Sequence, residues 1–185
     1  MLAAPFKVLL DANVLYPFTL RDTLLRAASE GFYQIYWSAE ILDEAVRNLV
    51  ASGTVTVEQG ARLRVTMERA FPEAEVMGYE PLISGMPNDP KDRHVAAAAL
   101  KAGAQVIVTS NLRDFQALPD GVEAQSPDEF LSNLFDLDPN GIVELLRDQA
   151  AALKKPPRTF EELVAALAKM VPAFAAAVVK HLAAT

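Results

Sequence analysis

Two short apolar runs in this chain each end on polar side chains. The first is Lys7–Leu10, which is followed by Asp11. The second is Gln105–Ser110, which follows an alanine-rich helical pattern and Gly103 and leads into a polar loop. Short apolar runs bounded by turn residues are typical of buried parallel strands. Parallel strands that both deliver polar groups at their carboxyl ends predict one crevice, which is where ligands bind in open α/β sheets.

Strand and helix patterns alternate between these two runs and shortly after them. Such alternation predicts right-handed crossovers and a mainly parallel sheet. Ser38 suits the N-cap of the second helix, and Gly31 suits the residue after the first. The predicted helices are Leu15–Glu30, 39–51, Val57–Ala70 and 90–102, and the further predicted strands are Phe32–Trp37, Glu73–Tyr79 and Val122–Gln125.

Beyond Ser126 the pattern is purely helical. Gly141–Leu153 is amphipathic, and Thr159 with Glu162 forms the capping-box signature of a helix start. Pro172 is expected to interrupt or kink the helical pattern there, before a last helix at 173–184. The fold class expected from the pattern is therefore α/β, with a helical extension at the C-terminus.

Composition limits the chemistry that this chain can perform. It has 185 residues, 51% of them hydrophobic, and no cysteine, so thiolate zinc sites and cysteine nucleophiles are excluded. No signal peptide is recognised, and the longest apolar run, 170–179, is too short to span a membrane. We therefore expect a soluble, cytoplasmic protein. The net charge of −7 argues against broad, charge-driven nucleic-acid binding.

The acidic excess lies in residues 1–138, whereas residues 139–185 carry six basic and four acidic side chains. Asp11 ends a buried strand, where a charge is costly unless it is paired or holds a metal. Its alternative role is to accept hydrogen bonds from the following turn. Asp43 and Glu44 flank the apolar stripe of their helix about equally, so the helical wheel does not choose between them. For either, a solvated helix face is the alternative.

Asp89 and Asp92 lie on either side of Pro90. Asp89 suits an N-cap with Asp92 at the third helical position, so capping is an alternative to chemistry for both. Asp114 follows the 105–110 strand, and its alternative is a turn or a helix cap. Two histidines, His94 and His181, make a Ser-His-Asp triad a poor fit.

The sequence contains neither a Gly-rich phosphate loop nor an HExxH zinc motif. By elimination the chemistry is carboxylate chemistry. Several carboxylates without a competing soft ligand suit a hard cation such as Mg²⁺ or Mn²⁺.

Four ordered motifs resemble the PIN-domain ribonucleases, most closely the toxins of VapC-type toxin–antitoxin pairs. They are DANVL at 11–15, ILDEAVRNL at 41–49, DPKDRHVAAA at 89–98 and IVTSNLRDF at 107–115. The resemblance covers roughly residues 6–131. It implies a three-layer α/β/α PIN-like domain at residues 1–138 with a mainly parallel sheet, and a helical C-terminal extension at 139–185.

The resemblance also implies which residues act. Asp11, Glu44, Asp92 and Asp114 are then the catalytic, metal-binding acids, with Glu44 preferred to Asp43. Asp89 is left to capping, and Thr109 and Asn111 lie beside the cluster. The implied activity is Mg²⁺- or Mn²⁺-dependent hydrolysis of RNA that leaves a 3′-hydroxyl and a 5′-phosphate. A cognate antitoxin and a homodimer are the implied partners.

Three other functions fit parts of the pattern. A PIN-like scaffold could bind protein or RNA without cutting it, although four intact acids argue against that. A dehalogenase-type phosphatase also begins with an aspartate after the first strand, but it needs a second acid where Asn13 stands. A receiver-type phosphoacceptor would explain Thr109 but lacks its acidic pair. Metal-dependent cleavage of RNA separates the nuclease from the scaffold, and release of phosphate from small esters separates the phosphatase from the nuclease.

Overall fold

The computed structural model of this chain describes residues 6–184. The sequence predicts no signal peptide, but the first five residues, which that prediction concerns, lie outside the described range. Between residues 6 and 184, four short strands form one all-parallel sheet in the order β2-β1-β3-β4. These strands are β1 (Lys7–Leu10), β2 (Gln34–Tyr36), β3 (Val106–Val108) and β4 (Glu123–Gln125). The α/β class and the parallel sheet predicted from the sequence are confirmed.

Nine α-helices lie within the same described range. They are α1 (Ala12–Leu15), α2 (Phe18–Ser29), α3 (Ala39–Ala51), α4 (Val57–Ala70), α5 (Arg93–Ala102), α6 (Pro127–Leu137), α7 (Pro139–Ala152), α8 (Phe160–Ala168) and α9 (Pro172–Ala184). Three 3₁₀ segments accompany them, at Glu80–Gly85, Pro90–Asp92 and Leu112–Phe115.

Two compact units divide the chain. The first unit runs up to Tyr16 and resumes over Tyr33–Gln125, so it holds the sheet with α1, α3, α4 and α5. The second unit comprises Pro17–Phe32 and the residues from Ser126 onward, so it holds α2 and α6–α9 with the short segments that connect them. The domains predicted from the sequence, 1–138 and 139–185, have other bounds than these units, and that division stays a prediction.

The first unit is organised around the pairing of its two central strands. Leu10 of β1 lies opposite Val108 of β3, and both strands are buried. Helix α5 packs on them through a run of small buried side chains, Val95–Ala99. It ends at Gly103, whose φ of 66° is a left-handed conformation that glycine adopts without strain. Because α5 is the crossover that leads into β3, its N-terminus lies at the carboxyl edge of the sheet.

The second unit is a helical cluster. Helix α9 packs on α6 and α8, and α2 packs on α7. The capping box predicted at Thr159 and Glu162 is present at the start of α8. Pro172 begins α9 instead of kinking a longer helix, which suits its fixed φ and missing amide hydrogen. None of the helices in residues 6–184 is long and apolar enough to cross a membrane.

Two local predictions were wrong. The helix expected at 15–30 is two helices, because Pro17 is in an extended conformation and α2 begins only after it. The strand expected at 73–79 is reduced to a single bridge between Glu75 and Trp37. Just beyond that bridge Gly78 has a φ of 71°, which ends the extended conformation.

Candidate active site

Asp11 is buried where β1 ends, with only 5% of its surface exposed. The residue caps α1: Oδ1 accepts a hydrogen bond from the Ala12 amide at 2.7 Å. Oδ2 accepts two more, from Asn13 Nδ2 at 2.7 Å and from the Thr109 hydroxyl at 2.8 Å. The capping role considered as an alternative is therefore real, but it uses only one of the two oxygens.

Burial controls the charge of Asp11. Desolvation raises the pKa of its carboxyl group, and the neighbouring Glu44 carboxylate raises it further. The hydrogen bonds from Thr109 and from the Ala12 amide oppose this by stabilising the carboxylate. A buried carboxylate that the protein must stabilise with several donors is a typical feature of a functional site.

Asn13 joins the two central strands at their polar ends. Its Nδ2 donates to Asp11 Oδ2 and to Thr109 Oγ1, and its Oδ1 accepts from the Ser110 amide at 2.9 Å. The Thr109 hydroxyl also accepts from the Asn111 amide at 3.0 Å. Asn13 thus holds Asp11 and the loop after β3 in one network.

The two acids of α3 have different surroundings. Asp43 is exposed and pairs with Arg64 of α4, which also binds Glu68. Glu44 is half-buried, and its charge acts on Asp11. The structure therefore brings Glu44, and not Asp43, toward the end of β1.

Asp89 and Asp92 also divide into two roles. The Asp89 side chain accepts from the Lys91 amide at 3.1 Å and so caps the 3₁₀ segment. The reciprocal capping arrangement considered from sequence does not form, since Asp92 precedes α5 without a side-chain capping hydrogen bond. Asp92 is thus left available for another role.

Asp92 is crowded by other acids. Its Oδ2 atom is buried and has no hydrogen-bond partner. Burial, the charge of Asp11 and the Asp114 carboxyl together raise the pKa of Asp92 to about 6. A cation at this point would reduce the repulsion between the carboxylates and would provide a partner for the Asp92 oxygen.

Asp114 is the best-compensated acid of the group. Lys91 Nζ lies 2.5 Å from its Oδ2, and Asn111 Nδ2 donates to the same oxygen. The hydrogen bond from Lys91, followed by that from Asn111, lowers the pKa of Asp114 below its ordinary value. Lys91 Nζ also lies 4.0 Å from Asp92 Oδ2.

The histidines lie apart from these contacts. His94 is buried on α5, with Nδ1 3.6 Å from Glu40 Oε2. His181 bonds Asn140 and packs edge-on against Phe135 in the second unit.

The acids at the carboxyl edge of the sheet offer the oxygen ligands that Mg²⁺ and Mn²⁺ prefer. Among residues 6–184, however, no three His, Cys, Asp or Glu side chains are arranged to hold one ion. The unpartnered Asp92 oxygen, its raised pKa and the all-oxygen donor set nonetheless fit a hard cation. Ligation of such an ion requires rotation of side chains, above all of Asp114, whose carboxylate is bonded to Lys91.

Sequence reasoning missed Lys91 as a member of the site. Its only signal is a positive residue between Asp89 and Asp92 in DPKDRH. A lone exposed lysine has no periodic pattern, so only the structure could show where its ammonium lies.

Comparison with known proteins agrees with this architecture. A family model described as PIN domain matches residues 7–113, and one described as VapC50 C-terminal domain matches residues 127–180. The chain is 42% identical over 106 residues to "Putative ribonuclease VapC50" of Mycobacterium tuberculosis. That alignment covers 56% of this chain and 63% of the relative, so less than two thirds of the relative's length is matched. The chain belongs to the PIN-domain family, in its VapC-type branch that carries a C-terminal domain.

Proposed function

We propose that this chain is a Mg²⁺- or Mn²⁺-dependent endoribonuclease and the toxin of a toxin–antitoxin pair. The observation that carries the proposal is the buried Asp11 carboxylate at the junction of β1 and β3, surrounded by other acids. The name of the Mycobacterium tuberculosis relative, a ribonuclease of the VapC type, supports the same activity.

Asp11, Glu44, Asp92 and Asp114 are the proposed catalytic residues and metal ligands. A bound Mg²⁺ or Mn²⁺ supplies Lewis-acid chemistry, activating water and neutralising charge on a phosphodiester. The chain's own contribution is to hold the carboxylates in place. Asn13 and Thr109 fix the Asp11 carboxylate by hydrogen bonds, so it needs little reorganisation before reaction.

An acidic protein needs local positive charge to accept RNA. Two exposed cations flank the acids: Lys91 before Asp92, and Arg113 before Asp114. Neither side chain is buried, so Arg113 can reach phosphate oxygens, and Lys91 can do so once it leaves Asp114. Contacts of this kind position a nucleic acid without reading its sequence.

The cognate antitoxin, a homodimer and a cytoplasmic location complete the proposal. They rest on the VapC-type family assignment. An antitoxin that presents an arginine or lysine to the acids would form charge-assisted hydrogen bonds with them. Co-expression of the chain with its neighbouring open reading frames, followed by purification and sedimentation analysis, tests partner and dimer together.

The decisive experiment is cleavage of a labelled pool of structured RNAs by the purified full-length chain in Mg²⁺ or Mn²⁺. Discrete products are expected, and EDTA and Asp11→Asn should each abolish them. Asp136→Asn, which changes an exposed acid of α6, is the matched control and should cleave normally. The ends of the products should carry a 3′-hydroxyl and a 5′-phosphate.

Cleavage that survives Asp11→Asn would overturn the site assignment. If the wild type cuts no RNA class after removal of any co-purifying protein, the nuclease proposal fails. The non-catalytic scaffold then becomes the better account, and RNA binding without cleavage would support it.

A further inference from the structure

One cation of the chain itself is bound to the acidic site. Lys91 Nζ contacts Asp114 Oδ2 at 2.5 Å and lies 4.0 Å from Asp92 Oδ2. The Asp114 oxygen also accepts from Asn111 Nδ2, so it is fully engaged. The Asp92 oxygen, in contrast, is buried with no hydrogen-bond partner.

The ammonium of Lys91 and a divalent cation compete for the same carboxyl group, that of Asp114. Asp114 Oδ2 cannot bond the ammonium and ligate a nearby dication without strong charge repulsion between the two. Lys91 thus bonds one acid that would have to turn toward a metal and lies near a second, which agrees with the lack of a preformed three-ligand set in residues 6–184.

Lys91 is also able to leave without disturbing the fold. Its side chain is 64% exposed, and its backbone amide remains fixed by Asp89 Oδ1 at 3.1 Å. Rotation of an exposed lysine side chain costs little compared with movement of the packed helix α5 that comes next in the chain.

We infer that Lys91 is a built-in counter-ion of the acidic site, which a divalent cation must displace in order to bind. This inference rests on the proposed metal-dependent function. It means that metal-free protein keeps the mutually repelling acids in place, and that the affinity for metal is lower than the carboxylates alone would give.

The test is calorimetric titration of Mn²⁺ into EDTA-stripped, full-length protein at pH 7.5. Lys91→Met keeps the aliphatic stem and removes the ammonium. We expect its dissociation constant for Mn²⁺ to be about threefold to tenfold lower than that of the wild type, somewhat above the range for exposed ion pairs because Asp114 is only 14% exposed.

Arg113→Met is the matched control. It removes a positive charge one residue from Asp114, but no ion pair of Arg113 is found in the described part of the chain. General electrostatics would increase the affinity of both variants alike, whereas displacement predicts a clear effect only for Lys91→Met, with less than about a twofold change for the control. Equal changes in the two variants, or no gain in Lys91→Met, would overturn the inference.

A second readout follows Lys91 directly. In ¹H–¹⁵N spectra of the metal-free protein, the Lys91 ammonium should give a signal protected from solvent exchange, which Lys91→Met identifies by its loss. Addition of Mg²⁺ should remove that protection. A signal that stays protected while calorimetry detects bound metal would refute displacement. If neither the wild type nor Lys91→Met binds metal, it is the proposed metal dependence that fails, and the inference falls with it.

Discussion

The Thr109 hydroxyl donates a hydrogen bond to Asp11 Oδ2 at 2.8 Å, across the boundary between the two central strands. Both residues are buried, and each comes directly after a strand whose last residue pairs with that of the other. This bond is one of three that offset the desolvation of the Asp11 carboxylate. The hydroxyl that follows β3 therefore stabilises the charged form of the carboxyl group that follows β1.

Thr109→Val should weaken this arrangement while keeping the shape of the side chain. Loss of one donor to a buried carboxylate is expected to cost about 1–3 kcal/mol in the free energy of unfolding, measured by urea denaturation. RNA cleavage should fall as well, because Asp11 loses a group that orients it. Thr109→Ser retains the hydroxyl and should recover most of the activity. If the stability of the Thr109→Val protein were unchanged, the hydrogen bonds from Asn13 and the Ala12 amide would be enough to stabilise the Asp11 carboxylate.

Glu44 and Asp43 provide a comparison between adjacent acids on α3. Glu44→Gln should lower the cleavage rate by at least about tenfold, as expected for a group that acts at the reacting centre. Asp43→Asn should leave it within about twofold, since Asp43 is exposed and engaged with Arg64. Single-turnover cleavage of one RNA substrate measures both. If Asp43→Asn slowed cleavage more than Glu44→Gln did, the role proposed for Glu44 would pass to Asp43.

Much of this site could be predicted from the sequence because its framework is local. The apolar run before Asp11 and the run before Thr109 each define a buried strand, and parallel topology then brings their ends together. Gly103, as the residue that ends α5, was predicted on the same local grounds. These features need only a few consecutive residues.

The features that the sequence could not provide depend on distant partners. The helical wheel did not choose between Asp43 and Glu44, and the preference for Glu44 came only from the family resemblance; the pairing of Asp43 with Arg64 of the next helix is not visible in the pattern. The strand predicted at 73–79 is wrong because the alternation of polar and apolar residues there does not reveal whether an adjacent strand extends far enough to pair with it. The contact of Lys91 with Asp114 is set by one rotamer and leaves no pattern.

The raised pKa of Asp92 predicts a pH-dependent cost to stability in metal-free protein. The folded protein holds this proton with a pKa of about 6, above the ordinary value of 3.8, so it binds the proton more tightly than the unfolded chain does. Between these values the contribution of Asp92 to the free energy of unfolding must fall as pH rises. The penalty reaches its full size well above pH 6 and vanishes well below pH 4.

Asp92→Asn should remove this penalty. In EDTA at pH 8 we expect the variant to be more stable than the wild type by about 1–2 kcal/mol, allowing for solvent screening, and the difference should shrink at pH 4.5. Urea denaturation at the two pH values measures it. The same variant should lose RNA cleavage. Asp136→Asn is the control, and a stability difference that grows toward acid pH would contradict the electrostatic account.

Arg113 is expected to contact the RNA backbone. In an Asp11→Asn background, which prevents cleavage, Arg113→Ala should weaken RNA binding and reduce the salt dependence of the dissociation constant by about one phosphate contact. Fluorescence anisotropy at several salt concentrations measures both quantities. Lys101→Ala, at the opposite end of α5 from Asp92, should change neither. Equal losses in the two variants would indicate a general effect of net charge.

Asp128 should be a structural residue of the second unit. Although it lies in the first turn of α6, its carboxylate accepts hydrogen bonds from the Phe174 amide at 2.8 Å and the Ala173 amide at 3.1 Å, at the start of α9. These amides belong to the first turn of a helix, where they have no partner within the helix and where a negative charge is favourable.

Asp128→Ala is therefore expected to lower the free energy of unfolding by about 1–2 kcal/mol. Asp128→Asn should restore part of this loss, because the amide oxygen still accepts a hydrogen bond while the charge is gone. Asp136→Ala, an exposed acid on the same helix, is the control and should be near neutral. Intact metal binding by the Asp128→Ala protein at a temperature below its transition would show that this capping contact acts on the helical unit alone. Loss of metal binding in folded protein would instead mean that α9 influences the acidic site.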